Sequence, residues 1–366
     1  MEETLDDDGP PIAVEIDSDA CHFPVGVTVI TGYLGAGKST LVNHILDSAC
    51  GKKIAVILNE FGEEIGVERA MINEGEGGAL VEEWVELANG CVCCTVKHSL
   101  VQALEQLVQM RRRLDHILIE TTGLANPAPI ASVLWLDDQL ESSVRLDSIV
   151  TVVDAKNLHF QLNEHRDTLS FPEAVHQIAF ADVVILNKVD LVGSEEHFEE
   201  LKKEINNINS LAKIIASVQC KVDINQILDH GAYDTRHAIY LEKLLQDHKA
   251  LSTRKMHDAG VRTLCISQSH PLSLDKFRQW IEEILWEKKD GMNVYRCKGV
   301  LSVDESDELH ILQGVREIYD IIPARKWLAE EKRTSKVVFI GHNLKESILV
   351  ESFKESIARN STGKII

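Results

Sequence analysis

The sequence predicts a doubly wound, mostly parallel α/β domain followed by a smaller α+β domain. Short β-branched runs alternate with helix-spaced segments from Val25 to about Leu228. A glycine-rich turn stands between the first run and the first helix, and beyond residue 258 the pattern changes to several strands with two helices. Strand–helix alternation is the mark of a parallel sheet, because parallel neighbours need a crossover connection. A chain of 366 residues also exceeds one ordinary core, so two domains are expected.

The elements follow in order. Residues 1–24 carry eight acids and no Lys or Arg, and read as an acidic flexible tail. "VTVIT" and "KIAVILNE" are buried-type strands, and "GKSTLVNHILDSA" between them has helical spacing. "VEEWVELA" alternates as a strand would and leads into "NGCVCCT". Val96, Leu100, Val101, Leu104, Leu107 and Val108 then share one helical face, ending in three arginines suited to a helix C-terminus. "HILIET", "DSIVTVVDA", "ADVVILNK" and "AKIIAS" supply four more strands, completing a first domain over 25–228. Residues 229–258 read as a linker helix. In a second domain, 259–358, "VRTLCISQ", "VYRCKGVLSV", "ELHILQGV" and "SKVVFIG" are strands. "SLDKFRQWIEEILWEK" and "LKESILVESFKESI" are its helices, and 359–366 is a tail.

Composition narrows the function. A net charge of −20 disfavours wrapping nucleic-acid backbones, although backbone N–H groups can still hold a small phosphate. No run of about eighteen apolar residues occurs, so no membrane span is expected. The acidic start fits neither a secretory signal nor a transit peptide; the expected compartment is the cytoplasm, with the nucleus also open.

"GYLGAGKST", Gly32 to Thr40, fits the G-x-x-x-x-G-K-[ST] phosphate loop between strand and helix. Gly32, Gly35, Ala36 and Gly37 shape a loop whose N–H groups face a phosphate. Lys38 reaches the β and γ phosphates, the Ser39 hydroxyl ligates Mg²⁺, and Thr40 closes the motif. "LIETTG" ends a buried strand in Glu120, a second Mg²⁺ ligand, and places Gly123 where its N–H can sense a γ-phosphate. In "ILNKVD", Asn187 and Lys188 precede Asp190, whose carboxylate can accept the N1–H and exocyclic amine of guanine. Adenine offers neither, so GTP is expected over ATP. Lys38 and Glu120 are the expected catalytic residues.

"NGCVCCT" concentrates Cys91, Cys93 and Cys94 in a chain with 8 cysteines. In a reducing compartment such a cluster points to metal or redox chemistry rather than a structural disulfide. A turn could bring three thiolates to one Zn²⁺ or another soft-to-borderline ion, leaving a fourth position open for exchange. A redox pair and plain burial are the competing readings. Glu60, at the end of the second strand, could serve either metal or be a solvated strand end.

Together "TGYLGAGKSTL", "NEFGE", "NGCVCC", "ETTGLANP", "NKVD", "LHILQGV" and "VVFIGHNL" resemble the CobW-type GTPases, P-loop enzymes of metal-site maturation. The resemblance spans nearly all of residues 25–358, and Glu120 is a mark of that class where most GTPases have Asp. It implies GTP hydrolysis to GDP coupled to zinc held by Cys91, Cys93 and Cys94, with Thr95 to Lys97 lying against the nucleotide. It also implies delivery of metal to client metalloproteins, with type 1 methionine aminopeptidase as the known eukaryotic client class. That docking uses an N-terminal Cys-Pro-x-Leu-Val-Pro-like motif; here the tail offers "GPPIAVE", Gly9 to Glu15, with no preceding cysteine and no later proline. The rival readings are a zinc sensor or buffer using GTP as a structural ligand, and a redox-active GTPase. Neither nucleic acid nor membrane is an expected partner, and a homo-oligomer is left open.

Overall fold

The computed structural model describes residues 24–49, 51–59, 69–73, 85–86, 96–109, 114–136, 143–163, 172–234, 245 and 260–358. Within them the first sheet is built on β1 (Val25–Thr31), flanked in parallel by β5 (His116–Thr121) and β6 (Val144–Asp154). Outward lie β2 (Ile54–Asn59) on one side, and β7 (Val183–Asn187) and β8 (Lys213–Ala216) on the other, all parallel. Such strands are covered on both faces, which is why they read as unbroken Val/Ile/Leu runs rather than alternating ones.

Two short strands extend the sheet antiparallel beyond β2: β3 (Arg69–Asn73) and β4 (Val85–Glu86). The β4 pair falls inside the alternating "VEEWVELA", whereas "RAMIN" of β3 is only five residues long, with its three apolar residues in a row rather than alternating. Its pairing is set by β2, with Ile54 opposite Asn73 and Leu58 opposite Arg69.

Helices cover both faces. Leu41, Val42, Ile45 and Leu46 of α1 (Lys38–Ser48) pack on Ile30, Val56, Leu118, Val150 and Ile185. On the opposite face lie α2 (Val96–Gln109), α3 (Ala128–Leu136), α4 (Leu158–Asn163), α5 (Glu173–Phe180) and α6 (Glu195–Ile208). Ser194 caps α6, its hydroxyl accepting from the His197 N–H at 3.2 Å. Glu195 and Glu196 in the first turn suit the positive end of the helix.

The second sheet is antiparallel, in the order β12-β11-β10-β13-β9. Its strands are β9 (Val261–Gln268), β10 (Asn293–Ser302), β11 (Glu308–Val315), β12 (Ile318–Lys326) and β13 (Ser335–His342). β12 goes beyond the sequence reading, because Asp320 and Pro323 interrupt its pattern. It lies at an edge, where a proline's missing N–H is tolerated. Strand β13 shows how this sheet is buried twice. Val337 and Phe339 face Phe277, Trp280 and Ile281 of α7 (Leu274–Leu285) and Leu349 and Phe353 of α8 (Glu346–Phe353). Val338 and Ile340 face the first domain, joining one continuous core with α3, α5 and α6.

A charged cluster sits inside that shared core. Arg296 of β10 pairs with Asp182, the residue before β7, and donates to the Phe180 and Ala181 carbonyls at 2.8 and 2.9 Å. Lys298 lies 3.2 Å from the same carboxylate, which also accepts the Ile149 N–H at 3.0 Å. Burial alone would raise the Asp182 carboxyl, but the Arg296 and Lys298 charges more than offset it and hold it at about 2.

The unfolded value, 3.8, is higher. The pair's stabilisation is therefore complete above about pH 4 and drains away as pH falls toward 2. Urea unfolding from pH 5 to 2 should show this loss, about 2 kcal/mol. Asp182→Asn should be destabilised by about 3 kcal/mol at neutral pH and should lack that acid-dependent step. A parallel decline in both proteins would discount the cluster's contribution. Among the described residues no helix is long and apolar enough to cross a membrane.

Candidate nucleotide site

The carboxyl ends of β1, β5, β6 and β7 open on one edge, where ligands of doubly wound sheets bind. The loop after β1 is shaped by glycine. Gly32 has φ 144°, and a Cβ there would lie 2.2 Å from the Val152 carbonyl oxygen. Gly37, φ 116°, opens α1, and a Cβ there would press on Asn187 Nδ2 at 2.7 Å. No side chain caps α1, so the amide groups of its first turn remain available to an anion.

Lys38 folds back over its own loop, donating to the Gly32 carbonyl at 2.9 Å and the Tyr33 carbonyl at 3.4 Å. Partial burial lowers its ammonium pKa, opposed by the negative charge of Glu120. Ser39 and Thr40 are exposed on the first turn. The Ser39 hydroxyl donates to Glu120 Oε1 at 2.8 Å, so a hydroxyl and a carboxylate from distant parts of the chain meet at the mouth. Past Glu120, the Thr122–Ala125 turn closes by the Ala125 N–H donating to the Thr122 carbonyl at 3.2 Å. It lies so near the loop that a Cβ on Gly123 would come 2.7 Å from the Leu34 nitrogen.

Asn187 ties three segments together at the far side of the pocket. Its Nδ2 donates to the Ala36 carbonyl at 2.9 Å, and its Oδ1 accepts from Ser217 Oγ at 3.2 Å and the Cys220 N–H at 2.9 Å. Lys188, at φ 61°, donates to the Gly35 carbonyl and to Asp154 Oδ2, both at 2.7 Å. Asp190 is exposed on the following 3₁₀ turn, Val189–Leu191.

The structure thus brings together Gly32, Gly35, Ala36, Gly37, Lys38, Ser39, Thr40, Glu120, Gly123, Asn187, Lys188 and Asp190. It also adds three residues that the sequence reading passed over. Asp154 ends β6 and is 2% exposed. Burial would raise its carboxyl, but Lys188, Asn157 and the Lys156 N–H bring it below the ordinary range. Its signal was available: an acid ending a buried strand, as Glu120 does. Ser217 and Cys220 sit after β8, where only the fold reveals their reach. Burial pushes the Cys220 thiol up to about 11, with Lys188 opposing, so it remains a thiol; its Sγ donates to the Gly37 carbonyl at 3.3 Å.

Among the described residues no group of three or more His, Cys, Asp or Glu could hold a metal ion. Cys91, Cys93, Cys94, Glu60 and Thr95 lie outside the described residues, and Lys97 is placed only by its backbone in the first turn of α2.

Residues 26–216 match the CobW/HypB/UreG nucleotide-binding domain, and residues 261–357 match the cobalamin synthesis protein cobW C-terminal domain. The zinc-regulated GTPase metalloprotein activator 1 of Schizosaccharomyces pombe is 37% identical over 361 residues, covering 90% of this chain and 85% of that protein. Its Saccharomyces cerevisiae counterpart is 33% identical over 367 residues, 91% and 83% of the two chains. The crystal structure of the zinc-bound YjiA GTPase from Escherichia coli shares the fold. Its TM-score is 0.67 at 24% identity, over 92% of this chain and all of that one. A phosphate loop, a strand-end Glu beside its serine and an Asn-Lys-x-Asp turn therefore stand in matching company: the chain belongs to the CobW/HypB/UreG family of P-loop GTPases.

Proposed function

We propose that this GTPase binds zinc at Cys91, Cys93 and Cys94 and transfers it to client metalloproteins in step with its nucleotide cycle. The observation that carries the reading is mechanical. Glu120 and Gly123 belong to one short segment, and that segment is locked to the phosphate loop through Ser39 and Leu34. Anything that moves the segment therefore moves part of the phosphate site, and the reverse holds. The names of the two yeast relatives, zinc-regulated and metalloprotein-activating, support zinc as the cargo and metalloproteins as the recipients. Type 1 methionine aminopeptidase is the client class that the family resemblance points to.

In this reading Asp190 accepts the guanine N1–H and amine, while Asn187 and Lys188 fix the loop that presents the base site. Lys38 leaves its two loop carbonyls for the β and γ phosphates, and the Gly123 N–H faces the γ-phosphate. Thr95 and Lys97 add contacts to the nucleotide. The Ser39 hydroxyl and Glu120 carboxylate form an all-oxygen donor set that fits Mg²⁺. When bound, that ion would supply neutralisation of the charge on the β and γ phosphates. Hydrolysis removes the γ-phosphate contact, the segment relaxes, and the thiolates yield zinc more readily.

Each tenfold loss of zinc affinity requires about 1.4 kcal/mol of coupling, and the coupling is reciprocal. Zinc titrations with a non-hydrolysable GTP analogue and with GDP test it. Zinc should bind more tightly in the presence of the analogue, the analogue should bind more tightly in the presence of zinc by the same factor, and Cys91→Ser/Cys93→Ser/Cys94→Ser should lose both effects. Equal zinc affinities with either nucleotide would sink the transfer cycle.

A further inference from the structure

We propose that Gln177 is a positioning residue for GTP hydrolysis. It holds the Thr122–Ala125 turn preformed against the phosphate loop, so that the turn distinguishes a nucleoside triphosphate from a diphosphate. The inference rests on the reading of Gly123 as the γ-phosphate contact.

The turn has little to hold itself. Leu124, at its tip, is 55% exposed and gives it no apolar anchor. What fixes it comes from α5. Gln177 is 1% exposed, and its Nε2 donates to the Gly123 carbonyl at 3.1 Å and to the Ala125 carbonyl at 3.3 Å. One amide thus holds the carbonyls on either side of Leu124, which sets the direction of the whole turn. Its Oε1 is buried and has no hydrogen-bond partner among the described residues, so this amide is committed to the turn through its donors alone.

A residue that positions others must itself be immobile. Gln177 is held in three ways. Its own carbonyl accepts from Thr151 Oγ1 of β6 at 2.7 Å. The helix packs through Val175, Ile178 and Ala179 into the core. The chain leaving that helix is gripped by Arg296, through the Phe180 and Ala181 carbonyls. The turn also lies close to the phosphate loop, where a Cβ on Gly123 would meet the Leu34 nitrogen. Gln177 and Leu34 therefore both bear on the turn.

Removing the donors should free the turn while leaving the base site, built from Asn187, Lys188 and Asp190, untouched. The full chain carrying Gln177→Met, similar in length but without N–H donors, is compared with wild type and Gly123→Ala. Affinities for GDP and for a non-hydrolysable GTP analogue are measured in each protein. In Gln177→Met the analogue should weaken about tenfold and GDP by no more than about twofold, with kcat/KM for GTP falling alongside. Gln177→Glu, which sets an acceptor against two carbonyls, should widen the gap. Should Gln177→Met fail to fold, Gln177→Asn, which withdraws the amide by one methylene, carries the same expectation at smaller amplitude.

Equal weakening of both nucleotides, or none of either, would overturn the proposal by reducing Gln177 to packing. If Gly123→Ala shifts the triphosphate-to-diphosphate ratio and Gln177→Met does not, this inference alone fails. If Gly123→Ala leaves the ratio unchanged, the γ-phosphate role of the turn fails and takes the proposal with it.

Discussion

Lys38→Met will lower GTP turnover by about three orders of magnitude while leaving the fold intact. The side chain is half-buried at the mouth of the site, and its two hydrogen bonds are to carbonyls of its own loop. Those bonds are replaceable by water, which is why stability should hardly change. What water cannot replace, in the proposed reading, is a positive charge placed where the β and γ phosphates gain negative charge in the transition state. Burial makes that charge slightly less favourable in the free protein, and the nearby Glu120 carboxylate sustains it. Single-turnover hydrolysis with saturating GTP, alongside thermal melting, separates the two effects. A loss of less than about tenfold would remove Lys38 from the transition state.

Asp190→Ala will erase the preference for guanine, lowering affinity for GTP by about 10²–10³ while barely moving the weak affinity for ATP. Asp190 suits this role because the free protein leaves it exposed on its turn, whereas its neighbours are already committed. Asn187 binds Ala36, Ser217 and Cys220, and Lys188 spans Gly35 and Asp154. Those two build the wall, and in the proposed reading Asp190 contacts the base. Competition titrations of GTP and ATP against a fluorescent guanine nucleotide measure the change. Retained discrimination in Asp190→Ala would shift base reading to backbone groups after β8.

The family and the shape of the phosphate loop could be read from the chain because such loops are built from contiguous residues under tight stereochemical demand. Gly32 and Gly37 sit at backbone angles that side chains resist, and the sequence records that demand directly. The strands of the first sheet were legible for a similar reason, since burial on both faces leaves a continuous apolar signature. Ser217 and Cys220 were not, because their partners lie far along the chain and nothing local marks them. β3 and β12 escaped because each borrows its register from a neighbour, one being very short and the other carrying a proline at an edge. Nothing in "VYRCKGVLSV" sets Arg296 apart, and only the packing of the two domains gives it Asp182. Cys91, Cys93 and Cys94 remain a sequence argument, since they lie outside the described residues.

The double coverage of the second sheet has a consequence for how such proteins can change over time. Val338 and Ile340 face one way and Val337 and Phe339 the other, and Asp182 keeps its charge only because Arg296 and Lys298 come from the other half. The two halves are therefore not interchangeable parts. Swapping either for a foreign counterpart would strand a greasy face and a bare carboxylate at the seam. Lineages that retarget such an enzyme should vary its loops and termini, and inherit the pair as a single heirloom.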